Sequence, residues 1–245
     1  MSSSRLLVSG VGYDPAVGPQ STGPQVQQLA TSTSSLKRQF SASGGAHSSI
    51  FDKNLHRAKH DISLSSLCYL FGEIVSWCDS KSRGVQQLES RLNNLGYSIG
   101  IKYLELTSLR ENFASGNISS SSKSHATKRE VRILEILQFI NSSVWKGLFG
   151  KMADKLEKSQ DLANQYMITD NLPLISKYIS VPKEFQHLNC AAFVAGIVEG
   201  ILDSAYFQAN VSAHSFPEPG LPLKTVFVIN FDDKVIKRES MRFER

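Results

Sequence analysis

From Ser63 to Ser80, apolar side chains fall at Leu64, Leu67, Cys68, Phe71, Ile74, Val75 and Cys78. This is the i, i+3, i+4, i+7 spacing of one helix face. Leu70 and Trp77 lie outside that stripe and widen it beyond what one packing partner covers. A second helix is predicted where Val85, Leu88, Leu92 and Leu95 line up, with Gly96 as its C-terminal stop. A third runs from about Ser98 to Glu111 through Ile101, Leu104 and Leu109. Val131 to Phe149 predicts another, with Ile133, Leu134, Leu137, Ile140, Val144, Trp145 and Leu148 toward the core and Gly150 ending it.

The stretch from Asn189 to about Phe207 is apolar on nearly every side, interrupted by Glu199. Such a helix belongs at the centre of a domain or in a membrane, and this apolar run falls short of the roughly 20 residues that span a bilayer. A central core helix is therefore expected, with Cys190 packed inside it. Gly196 and Gly200 share one of its faces, where another element can approach closely. Between Met152 and Val181 the pattern changes to short runs such as Tyr166-Met167-Ile168, which predict strands. Val211 to Phe216 and Thr225 to Phe231 predict two more, joined by a Pro/Gly loop at Pro217 to Pro222. Helices followed by strands point to an α+β fold, with about four to five helices on one face of a twisted antiparallel sheet of about four strands.

The opening residues change the picture. Residues 1–55 form an arm of Ser, Thr, Gln and Gly, which buries too little to offset its ordering entropy and is expected to be disordered. The folded domain then occupies 56–245, with a Ser-rich insertion near 113–127. A net charge of +5 over 245 residues is compatible with an anionic membrane surface or an acidic partner. No basic run interleaved with aromatics supports nucleic-acid binding. Three widely spaced cysteines without a CxxC pair argue for reduced thiols in the cytoplasm. No secretory leader or membrane-spanning window is apparent.

Two motifs invite a catalytic reading. Gly96-Tyr97-Ser98-Ile99-Gly100 matches the G-x-S-x-G nucleophile elbow, but that motif needs a preceding strand and here follows an amphipathic helix. Gly96 as a helix C-cap and Ser98 as the next N-cap is the simpler expectation. Cys190 before Ala191-Ala192-Phe193-Val194 resembles the nucleophile segment of papain-like peptidases, with His214 on a later strand as the base. An apolar helix, however, buries its cysteine as a small inert hydrophobe. The histidines show no metal-ligand spacing on an ordered helix, and no phosphate or dinucleotide fingerprint is present. Catalytic residues, metal and cofactors are all expected to be none.

Several segments together resemble a known family. Ile62 to Leu67, Gly96 to Lys102, Lys128-Arg129-Glu130, Ser143 to Gly150, Ile179 to Lys183 and Asn189 to Gly200 occur in the order and spacing of the small α+β subunits of the transport protein particle (TRAPP) vesicle-tethering complex. The resemblance runs from about residue 60 to the C-terminus. It implies a non-catalytic subunit that pairs with a second small TRAPP subunit through its first helices. It also implies an assembly that promotes nucleotide exchange on a Rab-type GTPase of ER-to-Golgi transport, peripheral on cis-Golgi and endoplasmic reticulum membranes. The partner face would draw on Leu64, Leu67, Leu70, Phe71, Ile74, Trp77, Leu88, Leu92 and Leu95. One relative carries an acylated cysteine just before the residues matching Lys128-Arg129-Glu130. Here Ser124-His125-Ala126-Thr127 holds no cysteine, so that lipidation does not carry over. A small-molecule domain enclosing an apolar ligand is the remaining alternative, since related domains share this fold.

Overall fold

In the computed structural model, the described residues are 62–114, 129–182, 185 and 188–243. The expected arm at 1–55 and nearly all of the Ser-rich insertion lie outside them. Helix α1 (Leu64–Ser80) opens at Ser63, whose hydroxyl accepts the Ser66 amide at 3.3 Å as an N-cap. Phe71, Val75 and Cys78 form its buried face.

Helix α2 (Val85–Ala114) is a single rod of 30 residues. It corrects the expectation of two helices broken at Gly96. The glycines at 96 and 100 are not caps; they lie mid-helix because another backbone presses against them. A Cβ on Gly96 would meet the Phe193 carbonyl oxygen, and one on Gly100 the Ile197 carbonyl, both inside the 3.0 Å at which real Cβ contacts stop. The fold tolerates the helix propensity lost at each glycine, about 1 kcal/mol, in exchange for that approach.

The opposing backbone belongs to helix α5 (Ala192–Ser204). Helix α3 (Ile133–Phe139), a π-helical segment (Ile140–Val144) and α4 (Trp145–Phe149) form one continuous rod ended by Gly150 at φ 77°. The π turn keeps Ile140, Val144 and Trp145 buried, whereas Leu134, expected in the core, points to solvent and Ile136 takes the inner position. Strands β1 (Lys155–Lys158) and β2 (Gln165–Asp170) follow, then a 3-10 turn at Ser176–Tyr178. Asp170, buried at the end of β2, accepts from Trp145 Nε1 at 3.0 Å, Lys151 Nζ at 2.5 Å and the Leu172 amide at 3.0 Å. These partners compensate the cost of burying a carboxylate and pin the α3–α4 rod to the sheet.

Helix α5 (Ala192–Ser204) is buried along almost its whole length. It ends in a left-handed Tyr206 at φ 65°, with the Phe207 amide reaching back to the Leu202 carbonyl at 2.8 Å. Strands β3 (Ala209–Ser215) and β4 (Thr225–Phe231) complete an antiparallel sheet of order β1-β2-β4-β3. In β4, Thr225, Phe227, Ile229 and Phe231 are buried and alternate with half-buried residues, the period of a strand with one face on the core. A last helix, α6 (Asp233–Phe243), was not anticipated from the sequence. With the α3–α4 rod counted once, the described residues hold five helices and four strands, an α+β fold.

Between α2 and α5 the glycines of both helices interleave. Gly196 faces the Asn93 backbone and Gly200 that of Tyr97, while Gly96 and Gly100 face Phe193 and Ile197. The contacts advance together along both helices, so α2 and α5 run in the same direction. Beside this seam lies a polar row. The Asn189 amide donates to Glu89 Oε1 at 2.8 Å, Asn93 Nδ2 to Glu199 Oε2 at 3.4 Å, and the Tyr97 hydroxyl to Asp203. Glu89, Asn93 and Tyr97 are four residues apart on α2 and so present one face. Glu199 also accepts the Val211 amide, and Asn189 Nδ2 donates to the Ala213 carbonyl, which together satisfy groups on the outer edge of β3.

Candidate functional site

The outer sides of α1 and α2 form an apolar groove of about 400 Å³, lined by Leu70, Glu73, Ile74, Trp77, Leu95, Ile99 and Phe193. Leu70 is 60% exposed, Trp77 50% and Ile99 40%. Glu73 supplies a charge at its rim, and Lys81 sits 4.0 Å over the Trp77 ring. The floor is fixed from beneath, because the Phe193 ring lies 5.3 Å from that of Phe71 in the core. Large apolar side chains clustered on a rigid floor are what a partner interface needs.

The structure divides the residues anticipated for this face. Leu70, Ile74, Trp77 and Leu95 line the groove, and Leu64 is exposed farther along α1. Phe71, Leu88 and Leu92 do not belong to it. All three are buried in the chain's own core, into which α2 packs mainly against α5, and Leu67 is only half-buried. Ile99 and Phe193 enter the groove without having been anticipated. The continuity of α2 through Gly96 would have pointed to Ile99, which then falls four residues beyond Leu95 on the same face.

The other candidates are not assembled for chemistry. Ser98 lies within α2 and donates to the Asn94 carbonyl at 3.2 Å, the back-bond of a helical serine rather than an elbow nucleophile. The Cys190 thiol is buried; desolvation, and after it the Glu89 carboxylate, push it up to about 12. A thiol held there stays protonated at neutral pH and is a poor nucleophile. His214 is exposed on β3, where Nε2 is 2.9 Å from the Ser212 hydroxyl. No hydrogen bond joins it to Cys190 among the described residues. Nor do the described residues hold a group of three or more His, Cys, Asp or Glu placed to bind a metal. No described helix is long and apolar enough to cross a membrane. The space between Trp145, Phe149, Asp170, Ile175, Val194 and Phe227 is about 10 Å³, at most the room of one water.

Comparison with known proteins decides the family. A family model described as the transport protein particle (TRAPP) component matches residues 67–232. The chain belongs to the TRAPP component family. Trafficking protein particle complex subunit 5 of Dictyostelium discoideum is 44% identical over 78% of this chain and 96% of its own length. The Homo sapiens subunit 5 is 40% identical over 78% of this chain and 92% of its own length. Subunit 31 of the Saccharomyces cerevisiae complex is 31% identical over 95% of this chain and 93% of its own length. A subunit 3 from Naegleria fowleri, solved covalently bound to palmitic acid, shares the fold with a TM-score of 0.54. It is 16% identical, over 69% of this chain and 95% of that one. The TRAPP homologues support a subunit of a vesicle-trafficking complex that associates with other TRAPP subunits.

Proposed function

We propose that this chain is a non-catalytic core subunit of the TRAPP vesicle-tethering complex, and that it pairs with a second small TRAPP subunit through the α1–α2 groove. Through the whole assembly it would serve nucleotide exchange on a Rab-type GTPase in ER-to-Golgi transport. It would act in the cytoplasm, peripheral on cis-Golgi and endoplasmic reticulum membranes. The observation that carries the pairing is the joint exposure of Leu70, Trp77 and Ile99 around one groove. Side chains of this size are hot-spot material when a partner excludes water from them. The buried, protonated Cys190 supports a scaffold over a thiol enzyme.

Co-expression with each small TRAPP subunit tests the pairing. Wild type should form a stable heterodimer with one of them, and Leu70→Asp should lose it while keeping its circular dichroism spectrum. An unpaired carboxylate in the desolvated groove costs several kcal/mol, on the order of a hundredfold or more in affinity. A folded Leu70→Asp variant that still pairs removes the groove from the interface. A wild type that pairs with no small TRAPP subunit overturns the function.

A further inference from the structure

Helix α6 carries two opposed faces. At the helical 100° per residue, Val235, Ile236 and Glu239 share one arc, and Lys234, Lys237, Arg238, Met241 and Arg242 share the other. Val235 is buried, and Glu239 pairs with Arg132 at 3.9 Å. All five residues of the second arc are exposed. That arc carries four positive charges, and the acidic residues of the helix, Asp233 and Glu239, fall outside it. Among its cations stands Met241, 82% exposed and the barest large apolar side chain in the described residues.

A cationic helix face alone is ordinarily just solvated. Here a second, aromatic feature adjoins the helix. Arg238 places its guanidinium 5.1 Å over the ring of Phe207. The preceding Tyr206 is 66% exposed and sits at φ 65°, a conformation that favours glycine. Arg129 lies 5.1 Å over its ring and donates to the Ala205 carbonyl at 3.3 Å. An aromatic residue kept exposed at the cost of backbone strain points to a use for the ring.

We propose that α6 and the adjoining Tyr206 turn form a direct contact for an anionic membrane surface. Lysines and arginines gather anionic headgroups, while tyrosine and an exposed thioether suit the headgroup boundary. An acidic protein fits less well, because protein interfaces are depleted in lysine and this arc presents two. The proposal deepens the peripheral-membrane part of the function above and rests on that reading for its setting. Its test does not depend on the α1–α2 pairing, so the two can fail separately.

The full chain, alone or with its paired subunit, is sedimented with phosphatidylcholine vesicles and with vesicles that also contain phosphatidylserine. Binding should require phosphatidylserine and fall as salt rises. The triple variant Lys234→Glu/Lys237→Glu/Arg242→Glu changes exposed side chains and should keep the wild-type circular dichroism spectrum. It should weaken vesicle binding by at least on the order of a hundredfold, at about fivefold for each cation. Met241→Ser, which leaves the charge intact, should weaken it severalfold and leave the salt dependence in place. Wild-type binding indifferent to phosphatidylserine, or undiminished binding by the folded triple variant, overturns the proposal. So does a triple variant that sheds a TRAPP subunit yet binds vesicles as wild type does, since the arc would then be a protein interface.

Discussion

The α2–α5 seam and the α1–α2 groove share a helix and touch the same residue, yet they solve opposite problems. In the seam, small residues remove side chains until two backbones meet, with Gly96 and Gly100 against Phe193 and Ile197 and Gly196 and Gly200 against Asn93 and Tyr97. In the groove, large residues stand at the surface, where Leu70, Trp77 and Ile99 remain 60%, 50% and 40% exposed. Phe193 belongs to both. Its carbonyl closes against Gly96, while its ring packs on Phe71 and floors the groove. A contact finished within the chain has no room left for adjustment. A groove left open at the surface keeps its apolar area in side chains, here on a floor that Phe193 carries over from the seam.

Breaking the seam should have the largest effect. Gly196→Val places a branched side chain against the Asn93 backbone, which cannot rotate away as a side-chain tip can. The cost should reach or pass the upper end of the usual overpacking range of about 1–3 kcal/mol. The midpoint of thermal unfolding should fall by roughly 6 °C or more, at about 2–4 °C per kcal/mol for a chain of this size. Gly84→Ala is the control, because a Cβ there meets nothing within 4 Å, and it should leave the midpoint within a few degrees. A Gly196→Val variant that melts within a degree of wild type would mean that the seam is open.

The seam also shows where sequence reading stops. The span of β4, Thr225–Phe231, was legible because β-branched and aromatic residues alternate inward and outward. The buried stripe of α1 was legible for the corresponding helical reason. Gly96 was misread because a glycine after an amphipathic run is locally a stop signal, and only the α5 backbone pressed against it makes the helix continue. Helix α6 is not anticipated because its inner arc sets a carboxylate, Glu239, among its few apolar positions, Val235, Ile236 and Phe243. Of the groove, Leu70 and Trp77 were legible as residues left over from the α1 stripe. The inward turn of Leu88 and Leu92 depends on which neighbours α2 packs against, above all α5, and spacing within one helix does not specify that.

A smaller effect should separate the closed region from solvent. Cys190 lies just before α5, and burial followed by the Glu89 carboxylate raises its thiol from 9.0 to about 12. Above pH 9 the unfolded chain releases this proton while the folded chain retains it, so the unfolded state binds fewer protons and stability falls as pH rises. The loss should build between about pH 9 and 12, at up to roughly 1.4 kcal/mol per pH unit from this group. Cys78 and several tyrosines are also raised, so the readout is a difference. From pH 9 to 10.5 the urea midpoint of wild type should drop more than that of Cys190→Ala. At neutral pH, iodoacetamide should label native Cys190 only slowly. Parallel pH profiles for the two proteins, or rapid stoichiometric labelling, would place the thiol in contact with water.

The smallest effect on stability belongs to the groove, and it sharpens the contrast most. Leu70 and Leu92 are the same residue on adjoining helices, the first 60% exposed and the second fully buried. Leu92→Ala removes side-chain atoms from a close-packed core and should cost about 2–5 kcal/mol. Leu70→Ala removes the same atoms from the surface and should stay within about 0.5 kcal/mol in the unpaired chain. The order should change once the groove is filled. In the heterodimer Leu70→Ala should lose binding free energy, through a faster dissociation rate, while the unpaired variant melts as wild type does. Equilibrium unfolding of the unpaired proteins together with dissociation kinetics of the pair makes the measurement. If Leu70→Ala destabilises the unpaired chain as much as Leu92→Ala does, α1 packs inward at both positions and no face is left for a partner.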